Sequence, residues 1–170
     1  MTERDIYLGL GSNIEPQRHV SEALQVLSHH YGPLTVSTLY RSEPLGMAGP
    51  DFINAVAGFT SDVALDALRA RLKAVEREAG RDHSKKLVGR ELDLDLLLYG
   101  QETISGRGFV VPRPDVLEYA FVLRPLAEIA PVGRHPVTGR TYAWHWQHFE
   151  GRRIALEPIG VSAAKAGNKR

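Results

Sequence analysis

Cysteine is absent from this 170-residue sequence, and its absence excludes disulfide bonds, thiolate metal sites and a cysteine nucleophile. Long apolar runs are also missing. No 18 consecutive apolar residues occur, so we expect no membrane-spanning helix. A charge excess of one sign is missing too, because 21 Lys and Arg residues stand against 20 Asp and Glu residues and leave a net charge of +1. We therefore expect no general nucleic-acid-binding surface, and any anion site must be local.

The composition that remains is typical of a folded protein. Hydrophobic residues make up 43% and charged residues 24%, and 170 residues suffice for one domain with a sizeable core. We predict a single domain over residues 1–160 and a flexible basic tail over 161–170, where small and polar residues prevail. The first five residues carry both charge signs and do not resemble a secretory signal. The simplest expectation is a cytoplasmic monomer.

Two hydrophobic periods alternate along the first hundred residues and predict the element order β-α-β-β-α-β. The second helix carries an apolar stripe at helical spacing, and Gly80 is predicted to end it. The predicted strands cover residues 6–10, 34–40, 52–59 and 92–99, and the predicted helices begin at Pro16 and after Ser61-Asp62. This order is typical of a ferredoxin-like α+β sandwich, an antiparallel sheet with two helices on one face. A predicted helix over 117–130 and a turn over 137–140 would be C-terminal additions.

Asp93 and Asp95 are the sharpest chemical feature, because they stand two apart in a predicted strand. Side chains of a strand alternate, so both carboxylates point to one face while the leucines around them point to the core. Adjacent carboxylates repel each other, and Mg²⁺ is a natural partner because it takes oxygen ligands and keeps positions for water and phosphate. The alternative, two aspartates that face solvent or pair with arginines, stays open.

A polar and basic segment precedes this strand. Guanidinium and ammonium groups next to a dicarboxylate suit a polyphosphate whose other side is neutralised by metal. A charge run of this kind is equally typical of a solvated surface loop. The segment contains Arg81, His83, Lys85, Lys86 and Arg90.

Three further patterns have both a structural and a functional interpretation. Phe52 and Asn54 share one face of their predicted strand, where a ring beside an amide suits a flat heterocycle or ordinary packing. The stretch 9–13 lacks the third glycine of a dinucleotide loop and the lysine of a P-loop, so we interpret it as a tight turn after the first strand. His145 and His148 are three apart but have no evident third ligand, and packing is the favoured interpretation.

Several segments together resemble the 6-hydroxymethyl-7,8-dihydropterin pyrophosphokinase family over residues 5–150. Each segment is weakly specific by itself, whereas their shared order and spacing are specific. The matching segments are 8–13 (LGLGSN), 40–46 (YRSEPLG), 51–55 (DFINA), 76–81 (EREAGR), 90–100 (RELDLDLLLYG), 111–112 (VP) and 121–131 (FVLRPLAEIAP).

The resemblance implies a ferredoxin-like fold and an enzyme of folate biosynthesis. Its reaction would move the terminal diphosphate of ATP to the hydroxymethyl group of a reduced pterin, giving AMP and the pterin diphosphate. It implies two Mg²⁺ ions held by Asp93 and Asp95, which with Arg81 and Arg90 form the catalytic set. The residues implied for the pterin are Ser42, Leu45, Phe52, Asn54 and Phe121, and those implied for ATP are Glu76, Arg81, Lys85, Lys86, Arg90 and Arg113. Small molecules are then the partners, with no nucleic acid and no membrane.

The chain departs from the family's pattern on the nucleotide side. Leu87 stands where the family's loop has tryptophan, Arg113 where it has histidine, and Tyr119 where arginine is frequent. Two alternatives stay open: a divergent paralogue with reduced or altered activity, and a non-catalytic module that binds a pterin or nucleotide. An RNA-recognition module with the same element order is disfavoured, because the strand 52–59 lacks the basic and aromatic signature of that fold.

Overall fold

The computed structural model describes residues 2–46, 48–81, 92–151 and 155–159. Within these ranges, every helix is too short or too polar to cross a membrane. The strands are β1 (Arg4–Ser12), β2 (Thr35–Val36), β3 (Tyr40–Ser42), β4 (Phe52–Ser61), β5 (Asp93–Tyr99), β6 (Ile104–Gly106), β7 (Phe109–Val111) and β8 (Glu157–Pro158), and the helices are α1 (Pro16–Tyr31), α2 (Leu65–Arg81), α3 (Asp115–Glu118), α4 (Ala120–Ile129) and α5 (Tyr142–Gln147).

The main sheet has the strand order β5–β1–β4–β3–β8, and β2 also pairs with β4. Every pairing in it is antiparallel. The central position of β1 and β4, with β5 beyond β1, is the arrangement predicted for a ferredoxin-like α+β fold. Strands β6 and β7 form a separate hairpin, which the sequence did not predict.

The two faces of the sheet carry separate cores, because side chains of a strand alternate. Ile6, Leu8 and Leu10 of β1 are buried in a cluster with residues of α1 and α2, as the apolar periodicity of those helices predicted. On the opposite face, Val56 and Leu97 pack in a second cluster with residues of α3, α4 and α5. The C-terminal helices therefore cover the face that a minimal ferredoxin-like sandwich leaves open.

The predicted strand over 34–40 is wrong in its bounds, because two short strands replace it. Strand β2 ends at Val36, and β3 runs from Tyr40 to Ser42, beyond the predicted end of the strand. Between them the chain remains near β4 only through Ser37, whose amide donates to Val56 O at 2.9 Å. The β-branched composition of 34–40 marked the right region and missed this break.

Three further predictions need correction. Strand β1 extends to Ser12, so the glycines at 9 and 11 lie inside a strand and not in a turn. Helix α2 begins at Leu65 and includes Gly80, so Gly80 does not end it. The predicted helix over 117–130 is two helices, since Tyr119 between α3 and α4 is extended, with φ −122° and ψ 130°.

Candidate functional site

A cavity of about 330 Å³ opens on the sheet face that α4 covers. Strands β1, β3, β4 and β5 form its floor and sides, and the start of α4 and the segment before α3 complete it. Its lining includes Gly9, Gly11, Ser42, Glu43, Leu45, Phe52, Asn54, Asp93, Asp95, Leu97, Arg113, Asp115 and Phe121. All five residues implied for the pterin and both aspartates implied for Mg²⁺ thus line one cavity.

The strand register explains why residues distant in sequence meet here. Gly11 of β1 pairs with Asn54 of β4 on one side and with Asp93 of β5 on the other. Gly9 likewise pairs with Asp95. The aspartates and the amide of Asn54 therefore flank a glycine strand, with the carboxylates on one side of the cavity and the amide on the other.

Gly9 and Gly11 leave the middle of the floor without side chains. A Cβ at position 11 would lie 3.4 Å from Asn54 Oδ1, and one at position 9 would lie 3.4 Å from a methyl group of Leu97. Larger side chains there would project into the cavity. The sequence analysis missed these floor residues, although the alternation of Leu8 and Leu10 with two glycines was a usable signal.

The amide side of the cavity is buried and internally bonded. Asn54 Nδ2 donates to Ser42 Oγ at 2.7 Å, and both residues are buried. Ser42 pairs with Phe52 across β3 and β4, which places the Phe52 ring beside the amide. Because Asn54 donates one N–H of its amide to Ser42, the amide carbonyl and the second N–H remain able to recognise the edge of a ligand.

Phe121 supplies a second aromatic ring to the cavity lining. It belongs to the first turn of α4, and its ring stacks on that of Tyr119 with centroids 5.1 Å apart and planes inclined by 24°. Tyr119, where the resembled family frequently has arginine, therefore supports the Phe121 ring in this chain. A flat ligand between Phe52 and Phe121 would meet an aromatic group on each side.

The acidic side of the cavity contains a cation. Arg113 Nη2 lies 3.6 Å from Asp95 Oδ1, and Arg113 Nε lies 3.3 Å from Asp115 Oδ1. The Arg113 backbone N–H donates to Leu97 O at 2.9 Å, which fixes this segment to β5. The sequence analysis missed Asp115, because only the fold shows that it shares a cation with Asp95.

Glu76 of α2 lies on the other side of β5. Its Oε2 accepts a hydrogen bond from the Leu94 backbone N–H at 2.8 Å. Burial raises the pKa of Glu76, and the negative charges of Asp93 and Asp95 act in the same direction. Glu76, Asp95 and Arg113 also line a second, smaller cavity of about 100 Å³, so two residues implied for ATP meet at one of the two aspartates.

The family model for 7,8-dihydro-6-hydroxymethylpterin-pyrophosphokinase matches residues 7–131 of the chain. The chain belongs to this family. It is 38% identical over 128 residues to the 2-amino-4-hydroxy-6-hydroxymethyldihydropteridine pyrophosphokinase of Haemophilus influenzae, covering 73% of this chain and 80% of the relative. The Pseudomonas aeruginosa enzyme of the same name is 40% identical over 136 residues, covering 77% and 83%. That of Aquifex aeolicus is 34% identical over 134 residues, covering 78% and 84%.

Several residues that the pyrophosphokinase resemblance implied lie outside this picture. Lys85, Lys86 and Arg90 are outside the described residues, as is Leu87, and only the backbone of Arg81 is described, at the end of α2. The described residues contain no cluster of three or more His, Cys, Asp or Glu side chains suited to a metal. Among the described residues, Asp93 and Asp95 are therefore the carboxylate pair that β5 contributes to the cavity lining.

His145 in α5 and His148 directly after it have packing and hydrogen-bonding roles. The His148 ring stacks on Trp144 with centroids 4.2 Å apart, and its Nδ1 is 2.9 Å from Trp144 O. His145 Nε2 lies 2.7 Å from Thr138 Oγ1. Neither histidine lines the candidate site, which agrees with the packing interpretation of the sequence.

Proposed function

We propose that this protein transfers the diphosphate of ATP to 6-hydroxymethyl-7,8-dihydropterin and acts in folate biosynthesis. The observation that carries the proposal is a single cavity in which an aromatic and amide pocket faces two adjacent carboxylates. A module that only binds a neutral heterocycle does not need that carboxylate pair, whereas phosphoryl transfer with a bound metal needs it. The family membership of the chain supports the same reaction.

In this proposal the pterin ring lies between Phe52 and Phe121. Asn54 reads its polar edge through the amide groups that Ser42 leaves available, and Leu45 closes the apolar rim. The glycine floor leaves room for the edge of a ring held between the two aromatic side chains. The hydroxymethyl group then points toward the aspartate side, where the reaction takes place.

The donor set at Asp93 and Asp95 fits Mg²⁺. Two carboxylates on one strand face supply hard oxygen ligands, and the adjacent glycine backbone leaves space for water and phosphate oxygens. Two Mg²⁺ ions held there would supply charge neutralisation for the triphosphate and its developing negative charge. The aspartates themselves bind and orient, since they lie between the pterin pocket and Arg113.

Arg113 and Glu76 are proposed for the nucleotide side. Arg113 Nε is buried and makes no hydrogen bond with any described residue, although it lies near Asp115. A guanidinium beside the two aspartates suits a phosphate oxygen, which can accept hydrogen bonds from its N–H groups. Glu76 fixes the β5 backbone at Leu94, between the two aspartates. Arg81, Lys85, Lys86 and Arg90 complete the proposed phosphate contacts.

Positioning is the main task left to the chain in this reaction. The hydroxymethyl oxygen bonds to the β-phosphorus, the bond from that phosphorus to the oxygen bridging the α-phosphate breaks, and AMP leaves as the hydroxyl proton is released. The walls at Phe52 and Phe121 hold the acceptor, and Arg113 balances negative charge beside Asp95. We further propose a monomer with one domain over 1–160, a flexible tail over 161–170, a cytoplasmic location and no nucleic-acid partner.

The test is AMP formation from ATP and 6-hydroxymethyl-7,8-dihydropterin, with a reaction lacking pterin as control. We expect AMP and pterin diphosphate in equal amounts, both dependent on pterin and on Mg²⁺. Pterin binding without AMP formation would favour the non-catalytic module. AMP formation that does not need pterin would overturn the proposed acceptor.

A further inference from the structure

The carboxylate of Glu128, near the end of α4, joins that helix to the gap between β2 and β3. Glu128 Oε2 accepts from Thr38 Oγ1 at 2.8 Å and from the Thr38 backbone N–H at 3.0 Å. Glu128 Oε1 accepts from the Tyr40 hydroxyl at 2.8 Å. One exposed carboxylate thus receives three donors from a segment some ninety residues earlier in the chain.

The backbone at Thr38 explains why a carboxylate is needed there. Ser37 still donates its amide to Val56 O on β4, whereas β3 pairing begins only at Tyr40. The Thr38 N–H falls between these two pairings and bonds to Glu128. Because the carboxylate accepts from both donors of Thr38, it favours this particular course of the chain from β2 to β3 over courses in which water accepts from them.

Tyr40 is held by α4 at its face as well as at its hydroxyl. The Arg124 guanidinium, one helical turn before Glu128, lies 4.9 Å from the centroid of the Tyr40 ring. Tyr40 is buried, at 5% exposure, and burial together with the Glu128 hydrogen bond raises the pKa of its hydroxyl. The hydroxyl therefore stays protonated and donates to Glu128 at neutral pH.

The same two elements both contribute side chains to the lining of the candidate site. Tyr40 pairs with Asn54 across the sheet, and Ser42, two residues further along β3, bonds to the Asn54 amide. Phe121 precedes Glu128 by seven residues, about two helical turns, and so lies on the same side of α4. The Glu128 contacts therefore join the helix that carries Phe121 to the strand that carries Ser42.

We propose that Glu128 is a positioning residue that sets the width of the pterin pocket. This inference rests on the proposed function for the identity of the ligand. Glu128 is itself exposed, and exposed carboxylates contribute little to global stability. Its loss should therefore impair pterin recognition out of proportion to its effect on unfolding, which distinguishes positioning from simple structural support.

The test compares Glu128→Ala, Glu128→Gln and the double variant Thr38→Val/Tyr40→Phe in the full chain. We expect Glu128→Ala to weaken pterin binding about tenfold, since small misplacements in a shaped site have large effects. Glu128→Gln keeps one acceptor oxygen, so its pterin affinity should be partly restored relative to Glu128→Ala. The double variant removes both hydroxyls and keeps Glu128, and it should show part of the affinity loss of Glu128→Ala. Pterin affinity is measured by calorimetry with saturating α,β-methylene-ATP, and KM for both substrates and kcat by AMP formation.

Val20→Ala is the control for lost stability, because Val20 is buried in α1 on the opposite face of the sheet. The proposal is supported if Glu128→Ala raises the KM for pterin and leaves the KM for ATP unchanged. Val20→Ala must not show this rise, although it loses as much stability as Glu128→Ala or more. Unchanged pterin affinity in Glu128→Ala, or a parallel rise of both KM values that Val20→Ala shares, overturns it. Glu128→Ala should also accelerate hydrogen exchange at the Thr38 amide, which is measured without substrate. A wild-type protein that forms no AMP would instead contradict the proposed function.

Discussion

Arg113 Nη2 lies 3.6 Å from Asp95 Oδ1, so a cation of the chain itself neighbours one of the two carboxylates proposed for Mg²⁺. Both side chains are partly exposed, and pairs of this kind contribute at most about 1 kcal/mol. We expect Arg113→Gln to bind Mg²⁺ about two- to fivefold more tightly in the absence of nucleotide, because the competing guanidinium is gone. Calorimetric titration with MgCl₂ measures this.

The same variant should bind α,β-methylene-ATP less tightly, and the loss should shrink as NaCl screens the phosphate contact. Arg134→Gln, at an exposed position outside the candidate site, is the matched control. Unchanged affinities for both ligands in Arg113→Gln would remove Arg113 from the nucleotide side.

Asp93→Ala and Asp95→Ala should each lower AMP formation by at least about a hundredfold, because loss of a carboxylate ligand removes several kcal/mol of charge stabilisation. The fold should persist, since both side chains lie at the cavity surface. Thermal unfolding should occur at the same or a higher temperature, as repulsion between the pair is relieved. Asp62→Ala, an exposed aspartate before α2, should retain wild-type activity. Activity near wild type in either site variant would refute the metal assignment.

Phe52→Ala and Phe121→Ala should weaken pterin binding more than nucleotide binding. Each ring contributes roughly 0.5–1.5 kcal/mol of stacking beyond its buried area, and both line the cavity. Calorimetry with 6-hydroxymethylpterin and, separately, with α,β-methylene-ATP distinguishes the two effects. Equal losses for both ligands would mean that the aromatic walls are assigned to the wrong substrate.

Gly11→Ala should fold normally and bind pterin poorly. The added methyl group would lie at ordinary contact distance, 3.4 Å, from Asn54 Oδ1, so the strand can accept it. It would nevertheless occupy floor space beside the amide that we propose reads the pterin. Gly80→Ala is a matched control, because nothing lies within 4 Å of its new methyl group and alanine favours the helix by about 0.5–1 kcal/mol. If Gly11→Ala leaves pterin affinity intact, the ligand does not approach this part of the floor.

His135 should make stability depend on pH in mild acid. Burial lowers the pKa of His135, and the nearby His145 lowers it further, while His135 Nδ1 accepts from the backbone N–H groups of Val137 and Thr138. Neutral His135 therefore contributes its full stabilisation above the unfolded-state pKa of about 6.5. This contribution is lost as the pH falls toward the lowered folded-state pKa, because the unfolded chain binds the proton first. The free energy of urea unfolding should fall between pH 7.5 and 5.5.

In His135→Gln this dependence on pH should be reduced, although overall stability drops. His29→Gln, at an exposed position of α1, provides the comparison at a surface histidine. A wild-type free energy of unfolding that stays constant over this pH range would contradict the assignment.

The periodic spacing of apolar residues predicted which faces of β5 and α2 are buried. The alternation around Asp93 and Asp95 correctly placed them on one face of β5, and the apolar stripe at Leu68, Leu72 and Val75 correctly marked the buried side of α2. The fold class, an α+β sandwich with an antiparallel sheet, followed from the order of elements. Resemblance to the family, rather than pattern, pointed to Leu45 and Phe121, which lie far apart in sequence.

The missed features depend on distant partners. The break between β2 and β3 is stabilised by Glu128, whose three donors come from Thr38 and Tyr40, and no local pattern reveals such a contact. Asp115 is part of the site because it forms an ion pair with Arg113. The two floor glycines resembled a turn because glycine is typical of turns, whereas their register with β4 and β5 is set by the whole sheet.

The bare floor at Gly9 and Gly11 has a consequence for selectivity. Peptide groups of β1 are engaged with β4 and β5 on both sides, so the floor offers a ligand contact area with few hydrogen bonds to direct it. In the proposed binding mode the edge of the ring lies over this floor, and the Asn54 amide beside Gly11 directs the orientation of the ring. Discrimination between pterins and other bicyclic rings is thus concentrated in one side chain, and a change at position 54 should broaden the range of heterocycles that bind.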